Sequence, residues 1–388
     1  MIYKGGKLVF SDTVREDLAV ITRGEKIAAI VPDTDIPGDE EVINLDGDYL
    51  MPGFVDIHVH GGGGYDFMDA SPDEIRKIAK THVAHGTTSL CPTAMTSTKD
   101  RLFGFLDACA PLCGGDTGGA DFIGLHLEGP YLSSANRGAQ PTQYASVPER
   151  ADVEEILRRA NGKIVRFDAA PELPGMKWFA ERMCRDGILC SAAHSAATAE
   201  EMLEAYRHGF THITHLYCST TTEHKVNGVV HGGIVEAAYL EDGITVELIG
   251  DGVHIPRETM LLGFKLKGNG RLALITDAMR AAGTNVRNSI LGCRAEGTPV
   301  IIEDGVAKLP DRSSFAGSIA TMDQVFRVVH SRYGVPLCDT VRAMTETPAK
   351  LVGVSGRKGR IHPGMDADLI VMTHDFRVRQ VYVRGRRL

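Results

Sequence analysis

The stretch Gly53–His60, with the sequence GFVDIHVH, decides the fold, and four glycines follow it at Gly61–Gly64. Its apolar residues are typical of a strand in a parallel sheet that is buried on both faces. His58 and His60 lie two residues apart, so both side chains leave the same face where the strand ends. The glycines allow the backbone to turn tightly and to approach a ligand. The stretch therefore predicts a buried strand that presents two histidines, either as metal ligands or as a hydrogen-bonded pair beside a turn.

Seven further apolar segments alternate with segments of helical periodicity along the middle of the chain. Together with the first strand they give eight strand candidates, which is the number in a (β/α)8 barrel. We therefore predict an α/β fold built on a TIM barrel. The further strand candidates are residues 87–94, 122–130, 164–172, 187–195, 212–218, 244–252 and 272–279. The helical candidates are residues 71–86, 152–160, 199–209 and 256–268.

The two ends of the chain have a different pattern from the middle. Both contain short segments rich in β-branched residues, which glycine, aspartate and proline separate, as is typical of short strands with turns. Because chain termini often meet, these two ends are expected to pair with each other. The predicted division is a small β-sandwich domain from residues 1–51 and 357–388, and a catalytic barrel from residues 52–356.

Polar residues follow the predicted strands at their carboxyl ends, the edge where barrels gather their catalytic groups. Glu128 follows the third strand, His194 the fifth, His215 the sixth and Asp277 the eighth. Each alone has an ordinary explanation, as an ion-paired glutamate, a core histidine or an aspartate that caps the next segment. At one edge, together with the two histidines of the first strand, they match the ligands of zinc or iron(II).

Six candidate ligands are more than one tetrahedral zinc ion needs, so one or two divalent ions are predicted. An ion of this kind lowers the pKa of bound water to ~7 and generates a hydroxide nucleophile. An aspartate beside the ion can accept the proton of the water and pass it to a leaving group. Glu172 after the fourth strand and Asp251 with His254 after the seventh complete this edge. The predicted metal ligands are His58, His60, Glu128, His194, His215 and Asp277.

The composition is that of a soluble globular protein, with 43% hydrophobic and 24% charged residues. A formal net charge of −8 leaves no basic excess to neutralise phosphates, so we predict no nucleic-acid partner. No apolar run approaches the ~20 residues that span a bilayer, so we predict no membrane association. The 8 cysteines contain no C-x-x-C pair and no signal peptide is visible, which predicts a cytoplasmic protein with reduced thiols.

The motifs together resemble those of the amidohydrolase superfamily and, nearly end to end, those of the N-acetylglucosamine-6-phosphate deacetylase family. The resemblance implies a metal-dependent barrel with a small β domain from both termini, and removal of the acetyl group from an N-acetylhexosamine 6-phosphate. It also implies a homodimer. The stretches that carry it are PGFVDIHVHG (52–61), HLEGPYLS (126–133), RGAQ (137–140), AAPE (169–172), AHS (193–195), THITHLY (211–217), VELIGDGVHI (246–255), ITDAM (275–279) and AGSIATMDQ (316–324).

The resemblance also implies roles for single residues. Glu128, His194 and His215 would hold the main ion, and the two strand-one histidines would hold a second. A hydroxide activated by the metal would attack the acetyl carbonyl, with Asp277 as general base and then general acid. His254 would contact the substrate or polarise its carbonyl. The implied substrate-binding residues are Gln140, Cys218, Ser219, Lys225, His231 and His254.

The chain departs from the family pattern in the segment that follows His215. The family continues with Asn-Ala-Met and later an arginine that helps to hold the sugar phosphate, whereas this chain has Cys218, Ser219 and Thr220. Lys225, His224 and His231 are the candidate phosphate contacts, and the alternative is that they face water. His212, three residues before His215, is expected to point to the opposite face and to be structural. Gln140 stands where the family has a histidine, and glutamine can donate a hydrogen bond but cannot carry charge.

Three alternatives stay open. The first, which the departures suggest, is that the substrate is a different or unphosphorylated N-acetyl amino sugar, or an N-acyl amino acid. A second alternative is an amidohydrolase that resembles D-aminoacylase or dihydroorotase, but many cyclic-amide members use a carboxylated lysine where this chain has Glu128. The third is a non-catalytic scaffold, and such a protein would be expected to have lost metal ligands.

Overall fold

Eight parallel strands form a barrel in the middle of the chain, which confirms the predicted fold class. The structure, a computed structural model, describes residues 1–38, 40–268 and 270–388. Consecutive barrel strands are hydrogen-bonded to each other from the first to the eighth. Hydrogen bonds from the backbone N–H groups of His60 and Gly61 to the carbonyl of Ala278 join the eighth strand to the first. The strands are Phe54–Val59, Thr87–Ala94, Leu125–Glu128, Ile164–Ala169, Leu189–Ala192, Phe210–Ile213, Thr245–Ile249 and Leu272–Ile275.

Helices cover the outside of the barrel, and those predicted from periodicity are confirmed. In the first of them, Ile75, Ile78, Ala79 and Val83 recur at helical spacing and are buried. Thr198 caps another through a reciprocal capping box with Glu201. The helices around the barrel are Pro72–Val83, Lys99–Cys109, Arg150–Ala160, Met176–Arg185, Ala199–His208, Ile234–Leu240 and Arg257–Lys267. Met322–Phe326, the π-helical turn Arg327–Arg332, Leu337–Met344 and Glu346–Leu351 follow the eighth strand.

Strands from both ends of the chain form two sheets of a small β-sandwich, as expected. Tyr49–Pro52 pairs antiparallel with Leu369–Met372, so the two ends share a sheet. Tyr3 from one sheet and Tyr382 from the other lie in one buried cluster. The exact division at residues 51 and 357 stays a proposal. In spatial order, one sheet contains Lys26–Pro32, Leu18–Arg23, Ile2–Lys4 and Val42–Asn44, and the other contains Arg386–Arg387, Val378–Val383, Leu369–Met372, Tyr49–Pro52, Lys7–Val9 and Val14–Arg15.

A buried lysine connects the sandwich to the barrel. Lys358 Nζ lies 2.7 Å from Asp121 Oδ2, beside the second barrel strand, and 2.6 Å from Asp368 Oδ2 in the sandwich. Asp366 Oδ2 is 3.1 Å away. A buried charge must be paired, since its removal from water costs several kcal/mol. The ion pair between Lys358 and Asp121 therefore joins the two parts of the chain.

A four-stranded antiparallel sheet after the eighth barrel strand is absent from the predicted fold. It contains Asn288–Leu291, Thr298–Glu303, Val306–Lys308 and Phe315–Ser318. Its last strand returns to the barrel, where Ser318 donates its backbone N–H to the carbonyl of Asp277 over 2.8 Å. Short strands between polar turns leave only a weak alternation in the sequence, which explains why this sheet was not predicted. Among the described residues, no helix is long and apolar enough to cross a bilayer.

Candidate metal centre and active site

The structure brings the six predicted metal ligands together in two buried triads at the carboxyl edge of the barrel. The first triad is His58, His60 and Asp277, and the second is Glu128, His194 and His215. Within each triad, the potential ligand atoms lie within 4.8 Å of one another. This edge is where parallel barrels place their catalytic groups, because every strand ends there and a loop begins.

Glu128 contacts both triads. Its Oε1 lies 3.0 Å from the Nε2 atoms of His194 and His215. Its Oε2 lies 3.2 Å from Nε2 of His60, in the other triad. Glu128 could therefore offer one oxygen to an ion in each triad.

Three of the four imidazoles are held with one ring nitrogen turned away from the site. The Nδ1 of His58 lies 2.9 Å from Glu247 Oε1, that of His194 lies 3.2 Å from the Asn136 carbonyl, and that of His215 lies 3.0 Å from the Cys218 carbonyl. Since each partner can only accept, Nδ1 carries a proton, and Nε2 is the nitrogen that faces the triads and could bind an ion once it has no proton. This is the tautomer of a metal ligand, so the donor set fits a divalent cation. The Nδ1 of His60 has no partner among the described residues.

Three of the candidate ligands have a left-handed backbone. His194, His215 and Asp277 have φ angles of 44°, 30° and 49°, directly after the fifth, sixth and eighth strands. A residue other than glycine costs about 1–3 kcal/mol in such a conformation and is retained where the surrounding structure or function requires it. Three of the six candidate ligands are strained in this way, which supports a functional role for these three.

Opposite charges compensate for burial inside the triads. Burial raises the pKa of Glu128, but hydrogen bonds from His194 and His215 hold it well below its ordinary value. Burial lowers the pKa of His215, but the neighbouring Glu128 outweighs this and raises it to about 9. The pKa of His60 is raised well above its ordinary value by Asp277 and Glu128, against the effect of burial. In metal-free protein, protons on His60 and His215 therefore stabilise the carboxylates.

We expect metal affinity to increase with pH between 6 and 8. Below pH 9 or so the His215 imidazole carries a proton that an ion must displace, because its pKa is raised to about 9. Each proton released makes binding about tenfold tighter per pH unit. Competition with a chromophoric chelator at pH 6, 7 and 8, corrected for protonation of the chelator, measures the slope. An affinity independent of pH would contradict the protonated metal-free site.

A pocket of about 300 Å³ opens above the triads. His254 lines it, and its Nδ1 lies 2.7 Å from Asp251 Oδ2, so its Nε2 is free to meet a substrate. Phe315, on the last strand of the four-stranded sheet, is 39% exposed. Its ring packs against that of His254, with the two ring centroids 4.8 Å apart. No lysine or arginine lines this pocket in the described part of the chain. The pocket therefore offers imidazoles, carboxylates, hydroxyls and an aromatic face.

The loop before the pocket depends on a glycine in the RGAQ motif. Gly138 has a φ of 56° and lines the pocket. A β-carbon there would lie 2.6 Å from Ser219 Oγ and 3.3 Å from Cε1 of His194. Glycine is therefore required both for the backbone conformation and for the close approach to a candidate ligand.

The predicted substrate-binding residues do not all reach the pocket. Gln140, Cys218 and Ser219 line it. Both ends of the Gln140 amide already have protein partners: Nε2 donates to Glu128 Oε2 over 2.6 Å, and Oε1 accepts from the Thr96 backbone over 3.0 Å. Burial raises the pKa of the Cys218 thiol, which favours its neutral form. Gln140 thus holds the candidate ligand Glu128 in place.

Lys225 and His231 lie outside the residues that line the pocket. They belong to a hairpin of His224–Val226 and Val229–His231, in which Lys225 is exposed. The rings of His224 and His231 stack on each other with centroids 6.1 Å apart. The sequence predicted these residues in a loop, whereas the structure has two paired strands here.

Two other polar residues of this edge support the fold. His212 is buried inside the barrel, where its Nδ1 lies 2.8 Å from Thr245 Oγ1. Glu172 accepts hydrogen bonds of 2.6 Å from Ser195 Oγ and from the Ala196 backbone. Both fix neighbouring strands and loops and neither lines the pocket.

Sequence reasoning missed Glu247, Arg166 and Asp168, which lie inside the barrel below the triads. All three are fully buried. The available signal was a charged residue inside an otherwise apolar strand, in TVELI and IVRFDA. Such a residue must have a buried partner, because an isolated charge is too costly there.

Two histidine-carboxylate triads at the carboxyl edge of a (β/α)8 barrel, with an aspartate after the eighth strand, define the class of amidohydrolases. The Amidohydrolase family matches residues 49–388. N-acetylglucosamine-6-phosphate deacetylase of Lysinibacillus sphaericus is 32% identical over 375 residues, 96% of this chain and 93% of that protein. The chain belongs to the N-acetylglucosamine-6-phosphate deacetylase family of amidohydrolases, which confirms the predicted family. As a member, it is a hydrolase of carbon–nitrogen bonds.

Other relatives are named for the same sugar phosphate as the Lysinibacillus sphaericus protein or for a different one. N-acetylgalactosamine-6-phosphate deacetylase of Escherichia coli O157:H7 is 30% identical over 362 residues, 93% of this chain and 92% of that protein. A solved structure of a mutant N-acetyl-D-glucosamine-6-phosphate deacetylase from Mycobacterium smegmatis, in complex with N-acetyl-D-glucosamine-6-phosphate, has a TM-score of 0.92 at 28% identity. The match covers 100% of this chain and 98% of the Mycobacterium smegmatis chain.

Proposed function

We propose that the protein removes the acetyl group from an N-acetylhexosamine 6-phosphate and releases acetate and the amino sugar phosphate. The observation that carries this proposal is the position of Asp277, whose Oδ1 lies 3.4 Å from Nε2 of His58 and 3.3 Å from Nε2 of His60, at the floor of a substrate-sized pocket. The substrates named for the relatives support the same choice.

The cofactor we propose is one or two divalent ions, zinc or iron. Glu128, His194 and His215 would hold one ion, and His58, His60 and Asp277 would hold the other. Imidazole and carboxylate ligands suit both metals. When bound, such an ion polarises a carbonyl oxygen and lowers the pKa of water.

Asp277 moves the proton in this mechanism. His58 and His60 outweigh the effect of burial and lower its pKa, so the carboxylate is ionised and ready to accept. It takes the proton from the attacking water and later gives it to the amine nitrogen, when the bond between that nitrogen and the acetyl carbon breaks. One water molecule is consumed, and one acetate and one amine result.

His254 and Phe315 orient the substrate. Nδ1 of His254 donates its proton to Asp251. This hydrogen bond fixes the ring and directs Nε2 toward the pocket. A protonated Nε2 can donate to the acetyl carbonyl oxygen as negative charge develops there. The exposed face of Phe315 offers an apolar surface for the sugar ring.

The sugar phosphate needs a cation, and in the described part of the chain no lysine or arginine lines the pocket itself. Arg137 is exposed beside the pocket residue Gly138, and Lys225 is exposed on the hairpin. Arginine binds phosphate through two hydrogen bonds at once, whereas lysine acts as a point charge. We propose Arg137 as the main contact and Lys225 as a secondary one.

A panel of substrates, scored by acetate release, tests the function. It pairs phosphorylated with unphosphorylated N-acetylglucosamine, N-acetylgalactosamine and N-acetylmannosamine. We expect higher kcat/KM on a phosphorylated member, and Arg137→Ala should raise KM for that member alone. Arg158→Ala, on the outer helix Arg150–Ala160, is the matched control. Equal rates on both members of every pair would refute the preference for a phosphorylated substrate. Absence of acetate with every member would refute the deacetylase activity.

We also propose that the protein is a homodimer in the cytoplasm. Val229 and Val230 on the hairpin are 60% and 56% exposed, and Leu240 on the next helix is 77% exposed. Large apolar side chains that are this exposed favour contact with a second copy. Light scattering coupled to gel filtration measures the mass, and a monomer at micromolar concentration would contradict the dimer.

A further inference from the structure

The interior of the barrel contains a charged network directly beneath the two triads. Arg166 donates to Glu247 Oε2 over 2.5 Å and to Glu247 Oε1 over 2.8 Å. The same guanidinium donates to Asp168 Oδ1 over 2.9 Å. Thr214 Oγ1 accepts from Arg166 over 2.7 Å and donates to Asp168 over 2.7 Å. These side chains are fully buried, so water cannot replace any of the bonds.

Glu247 is the member of this network that contacts the candidate ligands. Its Oε1 accepts the Nδ1 proton of His58 over 2.9 Å, and His58 belongs to the first triad. The same oxygen lies 3.2 Å from the backbone N–H of His215, which belongs to the second triad. One carboxylate oxygen of Glu247 therefore contacts a candidate ligand of each triad from below. Glu128 contacts both triads from the opposite side.

The charge of the network suits a cation above it. One guanidinium faces two carboxylates, so Arg166 with Asp168 and Glu247 carries one negative charge in excess. A carboxylate that accepts from a ligand histidine fixes its tautomer and raises its basicity. Removal of such a partner costs about 10- to 100-fold in metal affinity.

We propose that Glu247 is a positioning residue that orients His58 for metal binding and sets the spacing of the two triads, with Arg166 holding its carboxylate in place. This inference rests on the proposed metal site of a deacetylase. It concerns the ion bound by His58, His60 and Asp277 more than the ion bound by Glu128, His194 and His215. The reason is that Glu247 reaches a ligand side chain in the first triad but only a backbone N–H in the second.

Metal content of Glu247→Gln tests the inference. Purified protein is dialysed against a series of buffered free-zinc concentrations and zinc is counted per chain by mass spectrometry. We expect wild-type protein to bind two ions. In Glu247→Gln, one ion should weaken about 10- to 100-fold, while the other keeps its affinity within about threefold. Circular dichroism of the metal-free variant confirms that it is folded.

Ser191→Ala is the matched control. Ser191 Oγ lies 2.6 Å from Thr214 Oγ1, so this change removes one bond of the same network without contact to Glu247 or a ligand. The control should keep both ions. The inference would be overturned if Glu247→Gln bound both ions with unchanged affinity, or if it bound both ions equally weakly. It would also be overturned if the wild-type protein held only one ion. Wild-type protein without any zinc would instead refute the proposed metal site.

A measurement on the wild-type protein covers the case in which Glu247→Gln does not fold. Proton–nitrogen spectra of the zinc-loaded, histidine-labelled protein report which ring nitrogen of each histidine carries the proton. We expect His58 to carry it on Nδ1, shifted downfield by the carboxylate, with the signal assigned by its absence in His58→Asn. A His58 with its proton on Nε2 would overturn the inference.

Discussion

Glu128→Gln is expected to remove both metal ions and with them all measurable turnover. The carboxylate contacts one triad through each oxygen, and glutamine would replace one of these oxygens with an NH2 group that donates. That donor would also face the Gln140 amide, which already donates to Oε2. Because loss of an outer partner alone costs ~10- to 100-fold in metal affinity, loss of a shared ligand should cost more than about 100-fold.

Metal analysis and acetate release together measure this effect. Glu172→Gln is the matched control, since Glu172 follows a neighbouring barrel strand and, among the described residues, accepts from Ser195 and Ala196 alone. The control should keep its metal and most of its activity. A Glu128→Gln protein that retained two ions would show that Glu128 does not bridge the triads.

Asp277→Asn is expected to keep the ion of Glu128, His194 and His215 but to lose about 10²- to 10⁴-fold in kcat. Asparagine has the same shape and can still offer an oxygen, but it cannot accept the proton of a water molecule. The pocket is otherwise unchanged, so KM should change little. Rates on the best substrate of the panel and zinc per chain measure the two effects separately.

Asp242→Asn provides the comparison for this variant. Asp242 is a surface residue whose side chain is 82% exposed and pairs with Arg271. It should retain full activity. If Asp277→Asn kept a tenth or more of the wild-type kcat, another residue would have to move the proton.

The barrel could be predicted because its strands are apolar runs of the right length, each followed by a polar residue. Segments such as TTSLCPTA match the observed strand Thr87–Ala94 at both ends. Glu128, His194 and His215 were identifiable because a titratable side chain directly after a buried strand needs a partner. Parallel strands bring these partners together at one edge whatever the details of the loops.

Other features depend on contacts between distant segments, which a single sequence does not reveal. Glu247 lies in the middle of a strand, and only the closed barrel sets it beside His58 and Arg166. The hairpin with Lys225 has the composition of a polar loop, and the pairing of its two strands is visible only in the structure. The four-stranded sheet 288–318 likewise forms through turns whose residues give weak signals, although its last strand supplies Phe315 to the pocket.

The pairing of Tyr49–Pro52 with Leu369–Met372 has a consequence for synthesis on the ribosome. The barrel is encoded between these two strands, and at ~5–20 residues per second its translation takes on the order of half a minute. Throughout that time, the backbone groups along one edge of Tyr49–Pro52 are unpaired, because Leu369–Met372 has not yet been synthesised. Such an edge invites pairing with other chains. The sandwich is thus completed after the barrel, although most of its strands leave the ribosome earlier, and nascent chains are exposed to aggregation during that interval.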